Sequence, residues 1–407
     1  MFKLRILILL LVLIVVQNLY AQQPPTEFRG VWIATVVNID WPPSKSSVAT
    51  QKADFIRQLD LHKRNGMNVI VMQVRPAGDA FYPSPYEPWS EWLTGVQGKA
   101  PTPFYDPLAF MIEETHKRGM EFHAWLNPYR AEFRIGKSSI ASDNMIRKRP
   151  DWYVTYGTTR YFDPANKEVQ QFVINIIKDL VRRYDVDAIH MDDYFYPYPI
   201  GKTPFPDDYA YKKSGTNLSK EDWRRSNVDS IIKNINIAMK QIKPYVKFGI
   251  SPFGVWRNNS VDNLGSDSKA GLSNFDDLYA DILLWMRKGW IDYVTPQLYR
   301  PIGDRLMDYQ KLVDWWAANS FGRHVYIGHG IYRALEANGG AFKNPSELPN
   351  QIKILRATKN IQGSIYFTSN SFNKNPNGWN DSLRYNYYRT PAKVPEMPWL
   401  PKRPAWK

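Results

Sequence analysis

Cysteine is absent from the 407-residue sequence. Its absence excludes disulfides, Cys-ligated zinc, iron–sulfur clusters, a thiol nucleophile and lipid attachment through cysteine. Histidine is also scarce, at six residues, and no His-x-His pair ends the first apolar stretch. Because barrel metalloenzymes need several converging His and carboxylate ligands, we predict no bound metal and no other cofactor.

Motifs for nucleotide and nucleic-acid chemistry are missing as well. No Gly-x-Gly-x-x-Gly opens a helix after a strand, and neither a Walker loop nor a Gly-x-Ser-x-Gly elbow occurs. Basic residues outnumber acidic ones by 53 to 39, yet they form no run of five and no zinc-finger, RNP or helix-turn-helix pattern. The net charge of +14 therefore indicates an ordinary solvated surface or an acidic polysaccharide partner, and not nucleic acid.

The first 21 residues have the pattern of a secretory signal peptide. Lys3 and Arg5 precede the apolar run 7–16, and Tyr20-Ala21 is followed by the polar stretch 22–25. An uncleaved anchor is the alternative, but the apolar run is shorter than the ~20 residues of a spanning helix. We expect an exported mature chain, periplasmic or extracellular, with no stable membrane anchor after cleavage.

Eight short apolar stretches recur along the rest of the chain, most of them followed by a loop and a helical pattern. This alternation is typical of βα units, and eight is the number that closes a (β/α)8 TIM barrel. The predicted strands are Phe28–Val37, Met67–Val74, Glu121–Asn127, Val186–Asp192, Val246–Ser251, Ile291–Gln297, His324–His329 and Ser364–Thr368.

Helical periodicity with Gly or Pro stops fills the intervals between these strands. The predicted helices are Thr50–Asn65, Pro107–Arg118, Lys167–Tyr184, Asp222–Lys243, Asp277–Lys288, Arg305–Ala318 and Pro345–Lys359. Three βα connections, at 76–105, 128–166 and 194–220, are long, and such loops build active sites at the C-terminal face of a barrel. We assign the barrel to residues 22–390. The Pro-rich tail 391–407 is expected to wrap the barrel or hang loose, without a chemical role.

Two adjacent carboxylates, Asp192 and Asp193, end the fourth predicted strand. Side chains alternate along a strand, so His190 and Asp192 share a face, and the following loop can turn Asp193 toward the same cleft. Like charges this close raise one pKa, which gives one protonated acid and one ionised partner, the pair that glycoside cleavage requires. The competing interpretation is that the pair caps the loop or binds calcium.

Other predicted strand ends carry amides, guanidinium groups and rings, which suit a sugar with many hydroxyls. Aromatic residues reach 14%, with 15 Trp and 25 Tyr, and flat amphipathic rings are typical of sugar-binding clefts. Each side chain alone is equally compatible with a structural role in the core. The candidate substrate-binding residues are Trp32, Arg75, Asp79, Asn127, Tyr129, Arg130, His190, Tyr194, Gln297, Tyr299 and His329.

Several blocks resemble the bacterial glycosyl-hydrolase-like 10 family. The blocks are Phe-Arg-Gly-Val-Trp at 28–32, Asn-Pro-Tyr-Arg at 127–130, Ile-His-Met-Asp-Asp-Tyr-Phe-Tyr-Pro at 189–197, Ile-Ser-Pro-Phe-Gly at 250–254 and Thr-Pro-Gln-Leu-Tyr at 295–299. The resemblance spans residues 27–385. It implies a (β/α)8 barrel in an exported enzyme, and the family includes a glycosidase that cuts peptidoglycan glycan strands stripped of their peptides.

We therefore predict a glycoside hydrolase acting on a bacterial cell-wall polysaccharide, with peptidoglycan strands of N-acetylated amino sugars as the leading substrate. The alternatives are a non-catalytic glycan-binding barrel and a metal-dependent polysaccharide deacetylase. The adjacent acids also resemble hexosaminidases that use the substrate's acetamido oxygen as nucleophile, which would make Asp192 the orienting residue and Asp193 the acid. Loop acids such as Asp79 or Glu132 are the alternative partners for a protein nucleophile. The sugar, the linkage and the oligomeric state stay open.

Overall fold

The computed structural model describes residues 23–406. The signal-peptide prediction for residues 1–21 therefore lies outside the described residues. The strands are β1 (Phe28–Ile33), β2 (Val69–Arg75), β3 (Glu121–Leu126), β4 (Arg130–Glu132), β5 (Tyr153–Tyr156), β6 (Thr159–Phe162), β7 (Ala188–Met191), β8 (Lys247–Ile250), β9 (Tyr293–Val294), β10 (His324–Gly330) and β11 (Gly363–Phe367).

Eight of these strands pair in parallel and close a barrel in the order β1-β11-β10-β9-β8-β7-β3-β2. The predicted (β/α)8 fold class is thereby confirmed. The α-helices are α1 (Val48–Arg64), α2 (Glu91–Thr94), α3 (Pro107–Lys117), α4 (Met145–Lys148), α5 (Lys167–Arg183), α6 (Asp208–Ser214), α7 (Lys220–Ile242), α8 (Ile282–Arg287), α9 (Tyr309–Ala318), α10 (Glu347–Ala357), α11 (Ser369–Phe372) and α12 (Trp379–Ser382). Short 3-10 segments lie at Val36–Asn38, Pro150–Trp152, Ile331–Leu335, Gly340–Lys343 and Pro376–Gly378, and a π-helical turn at Leu383–Tyr387.

The barrel strands are buried on both faces, which explains their near-continuous apolar sequence. Rings fill the interior: Phe28 stacks on Tyr326 with centroids 3.8 Å apart, and Tyr293 lies 5.3 Å from Tyr326. The Tyr293 ring occupies the space above Gly249, where a Cβ would overlap it. A glycine on β8 is therefore a packing requirement of this aromatic layer.

All eight predicted barrel strands occur, with boundary errors that have local causes. The first ends at Ile33 instead of Val37, because the chain turns into the 3-10 segment Val36–Asn38. Two helices begin four or five residues later than predicted. Asp281 accepts a hydrogen bond from the Leu284 amide and Asp308 one from the Lys311 amide, so α8 and α9 begin at these capping residues and not at 277 and 305.

A small antiparallel sheet, β4-β6-β5, occupies the long connection that the sequence predicted as a loop at 128–166. Three residues separate the end of β3 from the start of β4. The sheet is held beside this short connection because the Phe162 amide donates to the Tyr129 carbonyl at 2.7 Å. Three- and four-residue strands give too little alternation to be predicted from sequence. The sheet carries Arg130 beside the end of β3.

The tail 391–406 crosses the N-terminal end of the barrel. Met397 is buried against the interior layer, the Trp399 indole donates to Asp292 at 2.9 Å, and Arg403 lies 2.6 Å from Asp187. Asp187 and Asp292 directly precede β7 and β9, so these contacts mark the end opposite the C-terminal face. Within residues 23–406, no helix combines the length and the apolar character that crossing a membrane requires.

Candidate active site

A cavity of about 340 Å³ opens at the C-terminal end of the barrel. It contains seven of the residues that the sequence singled out, contributed by the ends of β1, β7 and β9 and by the start of β4: Trp32, Arg130, Asp192, Asp193, Tyr194, Gln297 and Tyr299. Two further candidates support this lining from behind. Asn127 donates to Asp192, and His190 accepts from the Trp32 indole.

Asp192 is buried and lies in a cage of donors. Its Oδ2 accepts from the Trp125 indole at 3.1 Å, and its carboxylate accepts from the Asn127 amide at 3.1 and 3.2 Å. Burial raises the pKa of Asp192, against the opposing effects of Arg130 and of these hydrogen bonds. Indole and amide N–H groups only donate, so both oxygens of Asp192 must accept, and this favours the carboxylate form.

Asp193 has different surroundings although it is the next residue. It accepts a hydrogen bond from the Tyr198 hydroxyl and lies beside Gln297, whose amide also donates to the Ser251 carbonyl at 2.9 Å. Burial raises the pKa of Asp193 to about 7; the Tyr198 bond opposes the rise and the Asp192 charge adds to it. At neutral pH Asp193 is therefore poised between its protonated and ionised forms.

Arg130 supplies the positive charge near the pair. Its guanidinium lies 5.1 Å from the centroid of the Tyr194 ring, and it donates to the Pro76 carbonyl at 3.3 Å. These contacts hold the guanidinium at the cavity wall, where it favours the ionised form of Asp192. The cavity lining therefore combines a guanidinium with two carboxyl groups.

Aromatic rings form much of the remaining cavity lining. Tyr299 and Phe367 stack at 5.9 Å, and Tyr332 meets each of them edge-on at 5.9 Å. All three line the cavity together with the Trp32 and Trp125 indoles. Rings stacked along a cleft present the apolar faces that pyranose rings pack against.

Arg75 and His329 do not reach the cavity, which corrects two predicted positions. The pairing register of β2 with β3 shifts between Gln73 and Arg75. Arg75 therefore turns aside to bind Glu87 at 2.5 Å. His329 lies on the outer face of β10, where its ring forms a hydrogen bond with Gln351 of α10 at 2.8 Å. Side chains alternate along a strand, and Tyr326, three residues earlier, points into the barrel.

Asp79 and Tyr129 are buried in loops away from the cavity lining. Asp79 accepts from Gln97 at 3.3 Å, and burial raises its pKa to about 7. Tyr129 is fully buried in the main hydrophobic core. Glu132, the other loop acid considered as a catalytic partner, pairs with Arg160 at 2.5 Å. Among the described residues that line the cavity, the carboxyl groups are therefore those of Asp192 and Asp193.

Two hydrogen bonds that affect the pKa values of Asp192 and Asp193 were not predicted. Trp125 donates to Asp192, and Tyr198 donates to Asp193. Alternation along β3 was a usable signal for the indole, since Trp125 lies two residues before Asn127 and faces the same way. No sequence signal placed Tyr198, because it lies in an irregular loop. Across residues 23–406, no group of three or more His, Asp or Glu side chains is arranged to hold a metal ion.

The fold alone resembles that of solved carbohydrate-active enzymes. The catalytic domain of β-amylase from Paenibacillus polymyxa superposes with a TM-score of 0.57 at 12% identity, over 90% of this chain and 99% of that domain. Identity this low establishes the barrel architecture and carries no statement about substrate.

Sequence comparison is more specific. The chain is 48% identical over 392 residues to glycosyl hydrolase YngK of Bacillus subtilis, covering 94% of this chain and 76% of that protein. It is 38% identical over 382 residues to glycosyl hydrolase DigH of Escherichia coli K12, covering 87% and 85% of the two chains. The family model described as glycosyl hydrolase-like 10 matches residues 27–339. The barrel, the paired acids at the end of β7 and these matches agree: the chain belongs to the glycosyl hydrolase-like 10 family.

Proposed function

We propose that this protein hydrolyses glycosidic bonds in a bacterial cell-wall polysaccharide, with peptidoglycan strands of N-acetylated amino sugars as its substrate. The observation that carries the proposal is the contrast between two neighbouring carboxyls in one ring-lined cavity. Asp192 is held among donors and Asp193 has its pKa raised to about 7. The glycosyl hydrolase names of the two relatives support the reaction class.

Asp193 is the proposed general acid. A carboxyl with a pKa near 7 is protonated often enough at neutral pH to donate, and its conjugate base is strong enough to take the proton back. Its proton passes to the glycosidic oxygen as the bond from that oxygen to the anomeric carbon breaks. Asp192 is proposed to act as the carboxylate, the form that the donors Trp125 and Asn127 and the charge of Arg130 favour against burial.

The nucleophile is proposed to be the acetamido oxygen of the substrate itself. A protein nucleophile would be a second carboxyl ~5 to 5.5 Å from the acid, on the far side of the anomeric carbon. Neither Asp79 nor Glu132 lines the cavity, which supports this proposal. In the first step the acetamido oxygen bonds to the anomeric carbon while Asp192 accepts from the acetamido N–H. Water then opens the cyclic intermediate and gives a proton back to Asp193.

The reaction can be tested by digesting peptide-free and peptide-bearing cell-wall glycan side by side, with mass analysis of the products. We expect new reducing ends from the peptide-free glycan with wild-type protein and none with Asp193→Asn. Tight glycan binding with no product would instead identify a non-catalytic binding barrel. Release of acetate that a chelator abolishes would identify a metal-dependent deacetylase.

The nucleophile has its own test. A thiazoline mimic of the cyclised intermediate should inhibit competitively, and a glycan without the N-acetyl group should be a poor substrate. Ready cleavage of that glycan with no inhibition by the mimic would overturn acetamido participation and point to Asp192 as a covalent nucleophile. Export is part of the proposal too, and fractionation of the source cells should find the protein outside the cytoplasm.

A further inference from the structure

A continuous chain of hydrogen bonds runs through the barrel interior beneath the cavity. His190 Nε2 lies 3.3 Å from the Trp32 indole nitrogen, and His190 Nδ1 lies 3.1 Å from the Tyr293 hydroxyl. The same hydroxyl lies 2.9 Å from His123 Nδ1, and His123 Nε2 lies 2.9 Å from Glu121. The chain thus joins a ring of the cavity wall to a carboxylate at the opposite end of the barrel.

The end nearest the cavity fixes one direction for these bonds. An indole N–H only donates, so His190 Nε2 must accept from Trp32. Burial holds the pKa of His190 well below its ordinary value, so the ring is neutral and its proton lies on Nδ1. His190 Nδ1–H then donates to Tyr293. Ser251 lies 3.1 Å from the same Nε2 and can donate to it or to the Met191 carbonyl, so it agrees with this assignment.

The far end fixes the same direction independently. Lys247 lies 2.6 Å from Glu121, and the charge of this lysine, with the contact to His123, outweighs the effect of burial and brings the pKa of Glu121 to about 2. An ionised carboxylate only accepts, so His123 must carry its proton on Nε2. His123 Nδ1 is then an acceptor, and the Tyr293 hydroxyl donates a hydrogen bond to it.

We propose that Tyr293 and His123 are positioning residues that fix the tautomer of His190 and thereby hold Trp32 as a wall of the sugar-binding cavity. The functional part rests on the proposed glycosidase activity. With its proton fixed on Nδ1, His190 has an unprotonated Nε2 that accepts the hydrogen bond of the Trp32 indole. With the other tautomer, Nε2 would carry a proton, the Trp32 N–H would lose its acceptor, and the ring would be free to shift. His190 lies on β7, two residues before Asp192, so the hydrogen-bond chain lies beneath both Trp32 and Asp192.

Ring-nitrogen NMR of histidine-labelled wild-type protein tests the direction of the chain. Protonated and bare ring nitrogens resonate far apart, and six histidines allow assignment by single substitutions. We expect a proton on Nδ1 of His190 and on Nε2 of His123 throughout the stable pH range. An Nε2 proton on His190, an Nδ1 proton on His123 or an imidazolium at either residue would overturn the proposal.

Tyr293→Phe tests the effect on Trp32, because it removes the linking hydroxyl and keeps the ring. We expect the Trp32 indole resonance to move and kcat to fall ~10-fold or more, with a smaller change in KM, as for a misplaced contact group. Tyr326→Phe is the matched control. Its ring lies in the same layer, but its hydroxyl bonds His324 at 2.8 Å, outside the chain.

The two variants separate positioning from packing. Equal loss of kcat in both, or an unmoved Trp32 resonance in Tyr293→Phe, would reduce the chain to ordinary core structure and overturn the proposal. If wild-type protein releases no reducing ends, the proposed function fails, while the tautomers and the Trp32 resonance still decide the proposal on their own.

Discussion

The acids at the N-terminal ends of the barrel strands and the two acids of the cavity have different kinds of partner. At the N-terminal end, acids that begin or directly precede a strand have cationic partners: Asp187 lies 2.6 Å from Arg403, Asp292 lies 2.7 Å from Lys240, and Glu121 lies 2.6 Å from Lys247. At the C-terminal end, among the residues that the structure describes, neither Asp192 nor Asp193 forms a direct ion pair with Lys or Arg. Their partners are N–H and O–H groups.

This difference in partners has a direct consequence for protonation. Lys247 brings the pKa of Glu121 to about 2, whereas burial without a paired cation raises the pKa of Asp193 to about 7. One carboxyl keeps its charge at every physiological pH, and the other can gain or lose a proton. The paired acids at the N-terminal end therefore stay charged, whereas Asp193, which is unpaired and lines the cavity, can exchange a proton there.

The strongest way to break this comparison is to remove the exchangeable acid. We expect Asp193→Asn to lower turnover at least ~100-fold, the scale of a lost general acid. The folded state should persist, because the amide can still accept from Tyr198 and Asp193 has no ion pair to lose. Steady-state kinetics with a thermal melt of the same sample checks both parts.

Asp192→Asn provides the comparison within the pair. It should lower turnover by a similar factor, because the amide carries no charge and its NH2 group would oppose the donors Trp125 and Asn127. Unchanged turnover in both variants would remove the pair from the chemistry. Loss of folding in both would assign it to a structural role instead.

The opposite outcome is expected at the other end of the barrel. Asp292→Ala should lower the free energy of unfolding by about 3 kcal/mol, the scale of a broken buried ion pair. The change removes the acceptor of the Trp399 indole and of the Phe248 amide, and it leaves Lys240 with the Val246 carbonyl but without its counter-ion. Turnover per folded molecule should stay within about 2-fold of wild type. Urea unfolding and kinetics measure the two effects, and a large loss of turnover in a stable Asp292→Ala protein would contradict the division between the ends.

Sequence reasoning recovered the barrel because strand spacing, helix stops and eight apolar stretches all agree with one topology. It placed Asp192 and Asp193 beside a cleft because the C-terminal ends of barrel strands line the mouth of the barrel, and both residues line the cavity. It misplaced Arg75 because a register shift within β2 leaves no trace in the alternation of residues. It misplaced His329 because every residue of β10 is buried, so the alternation of side chains does not show which face of the strand points into the barrel.

The Tyr198 contact and the tail contacts depend on loop geometry, which local sequence does not encode. Trp399 and Arg403 contact Asp292 and Asp187 across more than 100 residues of sequence separation. Such pairings are set by where the tail crosses the barrel. The distinction between paired and unpaired acids therefore became visible only in the folded structure.

The pH dependence of stability sharpens the comparison, because the two classes of acid should give opposite slopes. Between its ordinary pKa of 3.8 and about 7, folded protein holds a proton on Asp193 that the unfolded chain has released, so rising pH destabilises the fold. Glu121 acts in reverse. The unfolded chain takes up its proton as pH falls below 4.5 while the folded state resists until about 2, so falling pH destabilises the fold.

Variant-minus-wild-type unfolding curves isolate these slopes. In wild-type protein the Asp193 carboxyl should lower the free energy of unfolding by on the order of 3 kcal/mol between pH 4 and 7, and Asp193→Asn should abolish this decrease. Glu121→Gln should abolish a decrease in the free energy of unfolding that occurs only as the pH falls below 4.5. Slopes of the same sign in both variants would show that the two acids are not treated differently.

The smallest expected effect is a fine adjustment of the exchangeable acid. The Tyr198 hydroxyl donates to Asp193 and lowers its pKa, in opposition to burial. Tyr198→Phe removes this donor, so the pKa of Asp193 should rise by roughly one unit, as expected for one hydrogen bond to a carboxylate. The alkaline limb of kcat/KM against pH should then move up by the same amount, while the rate well below pH 7 changes little because the acid is already protonated there.

Tyr156→Phe is the control, since its hydroxyl accepts from the Ile200 amide and donates to the Thr203 carbonyl, in the same loop region and without contact to either acid. An alkaline limb that stays in place in Tyr198→Phe, or that moves equally in Tyr156→Phe, would mean that the limb reports a group other than Asp193.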